Sequence, residues 1–89
     1  MSDNSSQGGA VQPSSLQIRA ARALLGITSQ ELASMSGVGW ATIRRFEEAE
    51  GVPPSRSGTL DRVKITLEDA GIEFLGDPIS TPGVRLKRR

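Results

Sequence analysis

The 89-residue chain contains no His and no Cys. The usual general base, the commonest metal ligand and any thiolate are therefore missing. Carboxylates and Ser hydroxyls remain, but a catalytic site built from these alone would be unusual, and the chain has no Gly-rich phosphate cradle. No enzyme activity, cofactor, metal or small-molecule ligand is expected. The residues left with binding chemistry are cationic. Arg44 and Arg45 are adjacent and lie close to Trp40, while Arg85, Lys87, Arg88 and Arg89 form the densest basic cluster. Guanidinium groups can fork onto anions, but the same residues could equally be a solvated basic pair and a solubilising tail.

Net charge is only +1. The segment from Leu16 to Gly51 is neutral, Val52 to Gly76 carries −1, and Asp77 to the C-terminus carries +3. Affinity for a polyanion must then come from a local patch and not from a global field. No run of about 18 apolar residues exists to span a membrane. The polar N-terminus lacks the basic and apolar regions of a secretory signal, so a cytoplasmic location is expected.

The elements that position these residues follow from the hydrophobic pattern. Residues 1–14 are rich in Ser, Gly, Asn and Gln and read as a disordered arm. A helix is expected over Leu16 to Leu25, stopped by Gly26. Thr28 and Glu31 form a capping box that opens a second helix, Ser29 to Met35 or Ser36, with Leu32 and Ala33 inward. Gly37 closes it. A third helix runs from Gly39 to about Ala49, with Ile43 and Phe46 on one side and Ala41, Arg44, Arg45 and Glu48 on the other. Gly51 to Ser57 is a breaker-rich loop. A fourth helix is expected over Gly58 to Ala70, capped by Ser57 or Thr59, with Leu60, Val63, Leu67 and Ala70 inward. The period then changes to two, predicting strands at Ile72 to Leu75 and Val84 to Leu86 around a turn-rich connection. Phe74, Leu75, Val84 and Leu86 either fill the core or build a dimer surface.

The stretch from Ser29 to Phe46 pairs two short helices across a tight turn, the helix-turn-helix arrangement. Ile18 to Gly26, Thr28 to Ala33, Ser36 to Val38, Thr42-Ile43 and Phe46-Glu47 resemble the Cro and phage-repressor-like helix-turn-helix proteins, the XRE family. The resemblance covers roughly Gln17 to Gly71. It implies an all-α fold, a four- to five-helix bundle of the lambda-repressor-like DNA-binding type. Residues 15–71 would form the DNA-binding domain, and residues 72–89 a short C-terminal β-strand or hairpin addition with a basic tail.

The resemblance also implies roles. The family's base-reading positions fall on Gly39, Trp40, Ala41 and Arg45, with Arg44 beside them. Arg45 could pair bidentately with a guanine, and Trp40 could stack on sugar or a thymine methyl. Thr28, Ser29, Gln30, Thr42 and Arg56 are the expected phosphate contacts. Arg22 and Glu47 match the family's ion pair between the first and third helices. The function implied is a dimeric regulator of transcription on palindromic double-stranded DNA operators, with repression as the simplest output. An RNA polymerase contact through Glu47, Glu48 and Glu50 would serve activation. The alternative is a protein-interaction module, such as an antitoxin or accessory factor, on the same fold.

Overall fold

The computed structural model describes residues 11–55 and 58–88. Four helices are followed by a hairpin: α1 (Ser15–Leu25), α2 (Ser29–Ser36), α3 (Trp40–Glu48), α4 (Thr59–Asp69), β1 (Ile72–Leu75) and β2 (Gly83–Leu86). The strands pair antiparallel, with Ile72 opposite Leu86, Glu73 opposite Arg85, Phe74 opposite Val84 and Leu75 opposite Gly83.

The expected all-α class is corrected by this hairpin. About half of the described residues are helical, and the two-stranded sheet makes the fold mixed, with no fifth helix among those residues. The sheet belongs to the core because its apolar residues have nowhere else to go. Ile72 is buried at 2 % exposure, and Phe74, Val84 and Leu86 pack against the helical core. That core consists of Ile18, Ala21, Leu32, Val38, Ile43, Phe46, Leu60, Val63 and Leu67. Helices α1, α3 and α4 contribute residues three or four apart, as amphipathic packing requires, and α2 contributes Leu32.

Caps set the helix boundaries. Thr28 Oγ1 accepts the Glu31 N–H at 3.0 Å and the Glu31 carboxylate accepts the Thr28 N–H at 2.8 Å, completing the expected box. A second box was not expected. Ser14 caps α1 by accepting from the Gln17 N–H, and the Gln17 side chain accepts the Ser14 N–H. Pro13 and Ser14 are buried, so packing begins inside the segment read as an arm, whose first ten residues lie outside the described ones. Helix α4 has Gly58 at its N-cap rather than Thr59, with no side-chain cap bond there; Ser57 lies outside the described residues. The Ser55 hydroxyl accepts the Leu60 N–H at 2.9 Å instead.

The hairpin turn is held by Asp77, whose carboxylate accepts the N–H groups of Ile79 and Ser80 at 2.8 and 2.9 Å. Gly76 has φ of 72°, and a Cβ there would collide with the Thr81 carbonyl, so only glycine fits. The backbone bonds from Ser80 and Ile79 hold the Asp77 carboxyl below its ordinary value. A group whose folded pKa is lowered adds stability above its unfolded pKa and loses it as pH falls through the folded one. The turn should therefore loosen below about pH 4, seen as faster amide exchange at Ile79 and Ser80. Asp77→Asn keeps an acceptor and should remove that pH dependence.

Candidate nucleic-acid interface

Helices α2 and α3 form one unit across Gly37, Val38 and Gly39. Gly37 ends α2 in the left-handed region, with φ of 72°, and Val38 is buried beneath the turn. Arg62 of α4 holds the turn from outside: its Nη2 donates to the carbonyls of Gly37 at 2.9 Å and Ser36 at 3.4 Å. The sequence reading missed this clamp, because neither partner's spacing links the two ends.

Ile43 and Phe46 face the core from α3. Their burial turns the opposite face outward, and Trp40, Ala41, Arg44 and Arg45 are exposed there. Gly39 is exposed at the N-cap and supplies no side-chain bond to the first turn of α3. Thr42 is half-buried. Gln30 is exposed at the start of α2, with Thr28 preceding it as the cap. The starts of α2 and α3, at Ser29 and Trp40, lie together, and Arg44 and Arg45 follow one turn further along α3. Arg56 lies outside the described residues.

Trp40 is 44 % exposed and is not free. Its indole Nε1 donates to Ser29 Oγ at 3.1 Å, tying the first turns of α3 and α2 together. Ser29 accepts in this bond, which leaves its own O–H available to donate outward. Over the Trp40 ring lies the Arg44 guanidinium, 5.3 Å from the centroid, close enough for a cation–π attraction. Arg44 Nη2 also bonds Glu48 Oε2 at 3.1 Å. The four-residue spacings 40–44 and 44–48 are those of neighbours on a helix surface and could have signalled both contacts. Arg45 has no partner among the described residues.

Behind this surface, Arg22 of α1 grips Glu47 of α3. Nε donates to Oε2 at 2.8 Å and Nη2 to Oε1 at 3.0 Å, while Nη1 donates to the Ile27 carbonyl at 3.2 Å. The side chains are 25 % and 10 % exposed. The fork fixes α3 to α1 in orientation as well as distance.

The C-terminal residues lie elsewhere. Phe74, Val84 and Leu86 pack against the core and are only partly buried. Leu75 is half-buried at the end of β1, and its carbonyl accepts from Gln17 at 3.1 Å. Arg85 Nη2 pairs with Glu73 at 2.6 Å across the hairpin, which holds the Glu73 carboxyl below its ordinary value. Among the described residues no group of three or more carboxylates could hold a metal ion, and no helix is long and apolar enough to cross a membrane. No protein-family model matches the sequence, and no curated protein matches it.

Proposed function

We propose that the protein binds double-stranded DNA in a sequence-dependent way and regulates transcription as a dimer, in the manner of the helix-turn-helix regulators it resembles. The observation that carries this reading is the outer face of α3. Its first two turns present Trp40, Ala41, Arg44 and Arg45 together, on a helix held rigidly from behind by Ile43, Phe46 and the Arg22–Glu47 fork. A rigid helix with an exposed, uncapped first turn and guanidinium groups is suited to a major groove. Arg45, exposed and without a partner among the described residues, is the candidate for a bidentate contact to guanine. The start of α2, with the Ser29 hydroxyl oriented by Trp40 and the backbone amides around Gln30, is the candidate phosphate contact. Two copies would place two α3 helices in successive major grooves, roughly 34–36 Å apart, on a site with two-fold symmetry.

The decisive experiment is selection from a random duplex pool, run with the wild type and with an Arg44→Ala/Arg45→Ala variant. A two-fold symmetric motif enriched by the wild type and lost in the variant supports the reading. A folded wild type that enriches nothing rejects it and favours a protein-binding module. On an enriched duplex, Arg45→Ala should weaken binding by about 1–3 kcal/mol and relax preference at one base pair. Equal weakening on random duplex would reduce Arg45 to a phosphate contact.

A further inference from the structure

Trp40, Arg44 and Glu48 follow one another at intervals of four along one stripe of α3. Arg44 is engaged on both sides, stacked over the Trp40 ring and bonded to the Glu48 carboxylate. Its neighbour Arg45 is engaged on neither. Two adjacent guanidinium groups on one exposed face are thus prepared differently.

Glu48 is the residue that makes the difference, and it sits against two physical preferences. It is the last residue of α3, at the end of the helix dipole where a carboxylate is disfavoured. It is also one turn from guanidinium groups that the DNA-binding reading brings into a phosphate-lined groove, where a negative charge repels. Glu47, next to it, is compensated by the fork to Arg22. Glu48 has only a pair whose side chains are 54 % and 66 % exposed, too solvated to return much stability. A local rule broken for so little structural gain marks a position with another task.

We propose that Glu48 determines specificity by withholding Arg44 from phosphates, an inference that rests on the DNA-binding reading above. On random duplex, turning Arg44 outward to a phosphate draws it off the Trp40 ring and away from Glu48. The exchange leaves an unpaired carboxylate beside the polyanion, so it gains little. On the correct duplex, Arg45 and the first turn of α3 supply the base contacts while Arg44 stays along Trp40. Specificity is a difference of two affinities, and Glu48 widens it by weakening the competitor.

The test compares the wild type with E48Q, R44A and R44A/E48Q, titrated over a salt series against a random-sequence duplex and against a duplex enriched by selection. E48Q should bind the random duplex roughly 3–10-fold more tightly, with a salt dependence steeper by about 0.9, the signature of one added phosphate contact. The gain on the enriched duplex should be smaller, so discrimination falls. In R44A/E48Q the gain relative to R44A should shrink to what removal of the carboxylate charge gives by itself. Trp40 is the only Trp in the chain, so a changed emission of E48Q without DNA reports release of Arg44 independently. Glu48→Ala provides the same reading should glutamine perturb the helix end. E48Q indistinguishable from the wild type on random duplex overturns the inference, as does a gain that persists undiminished without Arg44. If the wild type still prefers the enriched duplex, that failure leaves the DNA-binding reading intact. A folded wild type that binds neither duplex overturns both.

Discussion

Phe46→Ala is expected to lower unfolding stability by about 3–5 kcal/mol, the range for losing a large buried aromatic side chain and leaving a cavity. Phe46 is 2 % exposed and lies in the shared core with Ile43 of its own helix. Its backbone is engaged as well: the carbonyl accepts from Ser15 Oγ at 2.6 Å, so α1 and α3 meet there through both polar and apolar contacts. A domain of this size has total stability on the order of 5–10 kcal/mol. The substitution should remove a large part of that, dropping the melting temperature by roughly 15–30 °C. Phe46→Leu keeps most of the volume and should cost far less, under about 2 kcal/mol. Calorimetric melts of the two variants beside the wild type would check the claim. A Phe46→Ala variant melting within a few degrees of wild type would mean that α3 is held by other contacts and that the core can close around the loss.

Arg22→Ala should be the second largest effect, at about 2–3 kcal/mol, somewhat below the range for fully buried pairs because a quarter of the Arg22 side chain is exposed. The loss comes mainly from what remains. The Glu47 carboxylate, 10 % exposed, is left without its two donors, and the Ile27 carbonyl loses a third. Glu47→Gln should be milder, since the amide oxygen still accepts from Arg22. The double variant Arg22→Ala/Glu47→Ala should recover part of the single-variant loss, because no uncompensated charge stays inside. Denaturant unfolding of these variants, with Glu47→Ala as the fourth corner, supplies the cycle. Unchanged stability of Arg22→Ala, combined with lost duplex binding, would move Arg22 from a positioning residue to a contact residue.

Much of the helical framework is legible in the sequence, and the reasons are local. The Thr28–Glu31 capping box and the stops at Gly26 and Gly37 act within one turn of the chain, so α2 can be bounded from its own residues. The same chemistry at Ser14 and Gln17 escaped notice because it sits in a stretch whose composition resembles an arm. Fold class was misjudged for a different reason. The alternation at Ile72–Leu75 and Val84–Leu86 marks both strands, but it does not say that the hairpin is part of the core and not an addition to an all-α bundle; the packing of Ile72, Phe74, Val84 and Leu86 shows that. At the candidate interface, the exposed side of α3 follows from the Ile43–Phe46 spacing. The Trp40 bond to Ser29 does not, because it depends on which way an exposed indole turns between two helices. The Arg22–Glu47 pair was identified through family resemblance, since 25 residues separate its members. The Arg62 clamp on Gly37 spans a similar gap with no motif to announce it.

Gln17 connects the first helix to the last strands. Its side-chain amide donates to the carbonyls of Leu75 and Gly83, 58 and 66 positions away, and the residue is nearly inaccessible to water. On a nascent chain, those two acceptors are synthesised long after the helix that needs them. Until they arrive, α1 carries a polar group on a face destined for burial, and it can satisfy that group only with solvent. Helices α1 to α3 can form early from local contacts, but the domain acquires its final order only when the hairpin closes over Gln17. Hairpin formation takes about 1–10 μs, against about 0.1–1 μs for a helix. The hairpin is therefore expected to dock late in folding, and until it does the chain keeps apolar surface open to proteases and to misassembly.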